Sequence, residues 1–265
     1  MSSGLKETSW IGKEYYHFPV IDSTNKKAKM MAAEGCSHGT LILADTQKAG
    51  VGRRGRSWSS EKEAGIYMSL LLRPEMKTEA AAMLTLVTAI SVAKAIKIVL
   101  EKNGASEIHP WIKWPNDIVI NKKKICGILT ELSLKQREIN FVVVGIGINL
   151  WNESFPEEIS STASSILLET GLRIDKEELI TLVWQQFEKY YEQFMKWNDL
   201  REFRKEYETF LINKNNKVRV LDPIGEYEGI AKGITNTGEL LVETDAGMQK
   251  VSGGEVSVRG IYGYV

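Results

Sequence analysis

The hydrophobic pattern of the chain changes period several times, and each change marks an element. Residues 24–34, TNKKAKMMAAE, read as a short helix that Gly35 closes. From Thr78 a longer helical stripe runs through Met83, Val87, Ile90, Ala93 and Ile96, and Gly104 ends it. Another opens at Asp175, where Asp175 and Glu178 have capping-box spacing, and continues through Leu179, Val183, Phe187, Tyr190 and Phe194. Strand-type runs stand between these helices, at residues 40–44, 66–72, 111–120 and 141–150, with KICGILTEL joined to the third run by the turn NKKK. Pro115 pushes Trp114 toward an extended conformation, which suits a bulge or a strand edge within WIKWPNDIVI. Beyond Lys214 the helical period disappears, and KVRVLD, YEGIAKGIT, ELLVET and MQKVSGGEVSVRG alternate with Gly and Asn turns. That pattern predicts a small β-barrel. The expected organisation is an α+β domain over residues 1–213 and a barrel over residues 214–265.

Composition narrows the function classes. The chain has 265 residues, enough for one large domain with a small module, and its 43% hydrophobic and 26% charged residues are those of a globular protein. Lys+Arg and Asp+Glu both number 34, so net charge gives no reason to expect a nucleic acid or an anionic membrane. Two cysteines without CxxC spacing and three isolated histidines argue against a zinc site or a disulfide framework. MSSGLKETSW has no signal-peptide core, and the apolar stretch AAAMLTLVTAISVA stops at Lys94, too short to span a bilayer. A cytoplasmic protein is expected. Cys126 reads as a small buried hydrophobe.

One segment carries a ligand-binding signature. AGVGRRGRSW contains a literal G-x-G-x-x-G at Gly50, Gly52 and Gly55. A dinucleotide fingerprint needs a helix opening on these glycines and an acid about 20 residues later, after the next strand. Here RSWSSEKEAG follows instead, the next strand ends at Arg73-Pro74, and Arg53 and Arg54 occupy positions where small residues pack. A Walker loop fails for want of Gly-Lys-Ser/Thr. What remains is a loop whose amides can nest an anion and whose arginines offer planar donors. Taken alone, it reads equally as a solvated basic loop. Further along, KWPND sets Lys113 between two tryptophans, Lys124 opens KICGIL, and Gly145 and Gly147 interrupt a buried strand ending at Asn149. Glycines there weaken a strand unless something must approach it closely.

Six collinear pieces resemble the biotin protein ligase family: STN (residues 23–25), Q-x-x-G-x-G-R-R-G-R-x-W (residues 47–58), KWPNDI, KICGIL, GIGIN and GGEVSVR. The resemblance implies a catalytic domain related to class II aminoacyl-tRNA synthetases with an SH3-like C-terminal barrel. It implies two half-reactions: biotin and MgATP give biotinyl-5′-AMP, then a lysine of a biotin carboxyl carrier protein domain, of acetyl-CoA carboxylase or a related carboxylase, displaces AMP. On the matching positions, Ser23, Thr24, Asn25, Gln47, Val51, Gly52, Arg53, Lys124, Gly127 and Gly147 are expected to hold biotin. Arg53, Arg54, Arg56, Trp58, Lys113, Asn116, Lys124 and Asn149 are expected to hold ATP and the adenylate. Lys124 and Arg53 would stabilise the transition state, and Asp117 would orient or deprotonate the acceptor lysine. Mg²⁺ would enter with the nucleotide, since no metal-ligand cluster is visible.

Two departures stand out. Val51 occupies a position where the family commonly has Arg or Lys: if backbone contacts do the work there the change is tolerated, and if the cation helps hold the adenylate retention is looser. About twenty residues precede STN, so the enzyme without the DNA-binding repressor domain of some members is expected, with homodimerisation a family tendency. A lipoate or octanoate ligase is the rival enzyme reading, and the ureido-binding set Ser23, Thr24 and Gln47 argues against it. An RNA-binding module using the arginine loop is the rival of another class, and zero net charge counts against it.

Overall fold

The computed structural model describes residue 5 and residues 7–222, 225–253, 257–260 and 264–265. Residues 254–256 of the GGEVSVR stretch lie outside the described residues. The first part of the chain contains β1 (Tyr15–Phe18), α1 (Thr24–Ala33), β2 (Leu41–Ala44), the short strands β3 (Gly50–Val51) and β4 (Ser57–Trp58), β5 (Gly65–Leu72), α2 (Leu84–Lys102), β6 (Trp111–Lys113), β7 (Asp117–Ile120), β8 (Lys123–Lys135) and β9 (Glu138–Asn149). Four helices follow: α3 (Glu157–Ser160), α4 (Ile166–Thr170), α5 (Lys176–Trp197) and α6 (Arg204–Phe210). The C-terminal part contains β10 (Lys217–Leu221), β11 (Tyr227–Ile234), β12 (Leu240–Thr244), β13 (Gly247–Val251) and β14 (Ser257–Gly260).

A seven-stranded sheet in the order β1-β2-β5-β9-β8-β7-β6 organises the larger part, antiparallel except for the β1–β2 pair. On one face α1 buries Ala28, Met31 and Ala32 against Ile42, Leu71, Phe141 and Val143. On the other, α2 lies between the sheet and α5, so it is apolar around most of its circumference. The helix from Thr78 to Lys102 is long and apolar enough to cross a membrane, and 78% of its most apolar window is buried within the protein. Its first residues, Thr78–Met83, wind as a 3-10 turn, and it runs on past Lys94. The amphipathic α5 begins as its spacing predicts, with Asp175 accepting the Glu178 N–H at 2.7 Å. Its Glu188 carboxylate accepts the backbone N–H groups of Ser9, Trp10 and Ile11 at 2.8–2.9 Å, tying the N-terminal segment down.

The structure corrects the reading of WIKWPNDIVI as one continuous strand. The chain reverses at residues 114–116, around a cis Trp114–Pro115 bond, so that β6 and β7 pair antiparallel and Lys113 faces Asp117 across the ladder. Both arms are apolar, and that hid the reversal. MQKVSGGEVSVRG likewise divides into β13 and β14. These two strands flank β12-β11-β10 at opposite ends of a five-stranded antiparallel sheet.

Candidate active site

The Gly-Arg loop leaves β2 beside the entry to α1. An isolated parallel bridge joins Ile21 to Gln47, and the N–H groups of Lys48 and Ala49 donate to the carbonyls of Ile21 and Asp22. This seam brings the Gln47 amide to the first turn of α1, where Oε1 accepts from Thr24 N at 2.8 Å and from Thr24 Oγ1 at 3.1 Å. Ser23 caps that turn from an extended conformation. Next to them, Asn25 Oδ1 accepts from Ser69 Oγ at 2.6 Å and its Nδ2 donates to Glu131 at 2.8 Å. Ser23, Thr24 and Asn25 are all buried.

The loop is a small hairpin rather than a dinucleotide turn. Gly50 pairs with Trp58 and Val51 with Ser57. A side chain at Gly50 would lie 2.7 Å from the Trp58 carbonyl, and Gly55 has φ +72°, so the first and third glycines serve the hairpin itself. Arg53 points inward: Nη1 donates to Asn116 Oδ1 at 2.9 Å and Nη2 to the Gly253 carbonyl at 2.5 Å. Burial lowers its pKa. Arg54 and Arg56 are exposed and do not line the pocket.

Trp58 folds back onto the sheet. Its indole rests on Gly127 and Gly147, which face each other across β8 and β9. A Cβ at Gly147 would come within 2.5 Å of the ring and one at Gly127 within 2.7 Å. At Gly145 a Cβ would lie 2.0 Å from Asn25 Oδ1. The strand glycines thus make room for side chains that the loop and α1 bring in, as the sequence predicts. With the indole in place the cavity is about 40 Å³, room for little more than a solvent molecule.

The polar end of the pocket is made by β7, β8 and the turn before β7. Lys124 Nζ lies 2.7 Å from Asp117 Oδ1 and 5.3 Å from the Trp58 ring centroid. Asn116 Nδ2 donates to Asp117 Oδ1 at 3.0 Å and to the Ile128 carbonyl at 3.2 Å. Burial pushes the Asp117 carboxyl up, but Lys124 and Lys113 outweigh it and hold the group below its ordinary range. Such a carboxylate orients donors far better than it accepts a proton. Lys113, buried beside it, has its pKa lowered to about 8 by burial, against the opposing pull of Asp117. Cys126, fully buried, has its thiol pKa raised by burial.

All ten residues expected to hold biotin line this one pocket, as do Trp58 and Asn116. Asn149 stands just outside, its Nδ2 donating to the Ser164 carbonyl at 2.9 Å. Sequence reasoning missed the segment that carries Ser164. Lys124 N donates to the Thr162 carbonyl at 2.7 Å and Ser164 N to the Lys124 carbonyl at 2.9 Å, so residues 162–164 wall the site beside Lys124. Nothing in the polar run SSTASS marks it in the sequence. Tyr264, whose hydroxyl donates to Asp117 Oδ2, was also missed. A larger cleft of about 1070 Å³, between the Thr78–Met83 turn and the C-terminal sheet, shares only Arg53 with the pocket. Among the described residues no group of three or more His, Cys, Asp or Glu side chains is arranged to hold a metal ion.

Comparison with known proteins places these features in context. A family model described as Biotin/lipoate A/B protein ligase family matches residues 17–149, and one described as Biotin protein ligase C terminal domain matches residues 215–259. The Bifunctional ligase/repressor BirA of Bacillus spizizenii is 36% identical over 257 residues, covering 96% of this chain and 77% of that protein. The Biotin--[acetyl-CoA-carboxylase] ligase of Paracoccus denitrificans is 34% identical over 245 residues, covering 89% of this chain and 96% of the relative. The solved biotin protein ligase from Aquifex aeolicus in complex with biotin and ATP superposes with a TM-score of 0.82 at 31% identity, covering 94% of this chain and 99% of that one.

Proposed function

The chain belongs to the biotin/lipoate A/B protein ligase family, and on that premise we propose that it is an ATP-dependent biotin protein ligase. It forms biotinyl-5′-AMP from biotin and MgATP and transfers the biotinyl group to a lysine of a carboxylase's biotin carrier domain. The observation that carries this reading is the convergence of Ser23, Thr24, Gln47, Gly127, Gly147 and Lys124 on one pocket. A urea ring buried among apolar groups needs both its carbonyl and its N–H groups paired. Ser23, Thr24 and Gln47 offer a hydroxyl pair and an amide for that purpose, and the Trp58 indole and the two strand glycines form an apolar slot for the fused rings.

The cations are arranged for the first step. Attack of the biotin carboxylate on the α-phosphorus sets one anion against another, so pre-placed positive charge lowers the barrier. Lys124, at the inner end of the pocket, meets the carboxylate and the phosphoryl oxygens. Arg53, held by Asn116 and Gly253, needs little reorganisation to join it. Lys113 stands behind Asp117 for the outer phosphates, with Asn149 and the 162–164 segment beside the nucleoside. Nucleotide-bound Mg²⁺ neutralises phosphate charge when present. With both Asp117 oxygens engaged, the ion would be held through the nucleotide's phosphates. In the second step Asp117 orients the acceptor amine.

The Gly-Arg hairpin is a lid: Trp58 withdraws to admit biotin and then closes over the adenylate, keeping water from the mixed anhydride. The boundary between catalytic and C-terminal units falls at residues 213/214. The 34 basic against 34 acidic residues give no electrostatic reason to expect DNA binding, and a cytoplasmic homodimer is the assembly we propose. Pyrophosphate exchange into ATP tests the function, run with biotin, with octanoate or lipoate, and with no acid. Exchange dependent on biotin alone is expected. Exchange driven by octanoate or lipoate would move the chain to the other branch of its family.

A further inference from the structure

Asp117 is served by three donors from three parts of the chain. Lys124 of β8 and Asn116 of the β6–β7 turn both hold Oδ1, from within the main sheet. The third, the Tyr264 hydroxyl, takes Oδ2 and comes from the chain beyond β14, 147 positions away. The Tyr264 ring also lies under Lys113, whose Nζ is 4.2 Å from the ring centroid. Among the described residues, Lys113, Lys124, Arg53, Arg56 and Arg259 are the charged groups around this corner besides Asp117. Burial and the Asp117 carboxylate keep the phenol well above its ordinary pKa, so it stays a neutral donor.

We propose that Tyr264 guards Asp117, so that an acceptor amine gains the carboxylate only by displacing the phenol, and that this makes Tyr264 a specificity-determining residue for the transfer step. The inference rests on the ligase reading above. Among the described residues Oδ1 is fixed by two donors belonging to the catalytic sheet, whereas Oδ2 is held by one donor outside it. An amine nitrogen, having lost its ammonium proton to solvent, attacks the acyl carbon of biotinyl-AMP. The N–C bond forms, the C–O bond to phosphate breaks, AMP leaves with the electron pair, and the amine's second proton passes to solvent. A small free amine brings nothing else to bind and competes poorly for Oδ2. A lysine presented by a folded carrier brings a whole docking surface to offset the lost phenol contact. The guard thereby discriminates carrier lysine from ambient amines.

Tyr264→Phe keeps the ring and removes the donor; Tyr264→Ala opens the corner. Each variant is measured beside the unaltered protein for biotin-dependent pyrophosphate exchange, for the KM of ATP, and for single-turnover transfer from synthetic biotinyl-AMP to ethylamine and to a biotin carrier domain. The expected result is a rise in transfer to ethylamine, about tenfold for Y264A on the scale of one hydrogen bond to a charged acceptor, and a smaller one for Y264F. The carrier-to-ethylamine ratio falls in both. Unchanged or lowered ethylamine transfer overturns the guard, as does a parallel fall in exchange and transfer, which marks a structural prop for Lys113. A change confined to the KM of ATP overturns it too, by putting the phenol in the path of the phosphates. Lack of biotin-dependent exchange in the unaltered protein overturns the ligase reading and the guard with it, whereas normal exchange with unaltered ethylamine transfer overturns the guard alone.

Discussion

Two alanine substitutions, Gly147→Ala and Gly145→Ala, separate the pocket's role in binding from its role in folding. Neither glycine has a positive φ, so alanine meets no backbone penalty and, with space available, would stabilise by about 0.4–1 kcal/mol through the unfolded chain. Space decides the outcome. At Gly147 the new Cβ would lie 2.5, 2.7 and 2.8 Å from Trp58 Cε2, Nε1 and Cζ2. Ordinary carbon contacts are about 3.5–4.0 Å, so the indole must retreat by roughly 1 Å. Trp58 is half-buried on a loop and can move, so the expected Tm stays within about 4 °C of the parent's, a change of about 1 kcal/mol or less. The floor of the slot is lost all the same. An overpacking cost of about 1–3 kcal/mol then falls on the ligand, weakening biotin roughly 5- to 150-fold. At Gly145 the clash is with Asn25, which Ser69 and Glu131 hold in place, so its hydrogen bonds break instead. A loss of about 2–3 kcal/mol is expected, a fall in Tm of about 4–12 °C. Thermal melting and isothermal titration with biotin read both variants. Unchanged biotin affinity in Gly147→Ala, or the same Tm for the two variants, would refute the steric reasoning.

Lys124→Ala should lower biotin-dependent pyrophosphate exchange by about 10²–10³-fold, the scale of one preorganised electrostatic contact, with a circular dichroism spectrum like the parent's. For Lys113, with its pKa near 8, raising pH through that value removes the positive charge, so kcat/KM for ATP in the exchange assay should fall above about pH 8. Lys113→Arg, which stays charged, should abolish that limb. The sign for stability is opposite: between about 8 and 10.5 the unfolded chain binds the proton and the folded one does not, so this group's burial penalty is relieved as pH rises. Val51→Arg should slow adenylate release from the purified complex, measured by the appearance of free AMP and biotin. Glu188→Ala strands three N–H groups of the N-terminal segment and should cost about 2–3 kcal/mol in urea unfolding, with Ser9–Ile11 losing hydrogen-exchange protection first.

Much of the fold was legible because it is local. The Asp175 cap, the strands around the arginine loop and the turn at Asn121–Lys122, where both residues have positive φ, each leave a signature within a few residues. The apolar character of α2 was visible as well, although its cause, packing on two sides, belongs to the tertiary structure. The reversal at Pro115 was signalled only by the Pro-Asn-Asp of KWPND, set between two equally apolar arms without Gly or Asn-Gly punctuation. The ten pocket residues converge because β8 and β9 are neighbours in the main sheet and the Ile21–Gln47 bridge sets the arginine loop beside the entry to α1. Residues 162–164 act through backbone carbonyls and amides, and Tyr264 acts over a long sequence separation. Neither kind of contribution depends on a recognisable side-chain pattern.

The Arg53 guanidinium spans 200 positions of sequence to reach the Gly253 carbonyl while its other nitrogen holds Asn116. A coupling free energy carried by such a tie is reciprocal: to the extent that ordering the loop tightens the docking of the C-terminal sheet, docking of the sheet favours the ordered loop equally. The small sheet is then a thermodynamic partner of the pocket. A ligand that never touches β13 should slow the opening of the backbone at Ser252 and Gly253, and a weakness engineered into that sheet should surface as a weaker grip on the ligand. Fusing cargo to the C-terminal sheet, or trimming it, is therefore an intervention in affinity as much as in architecture.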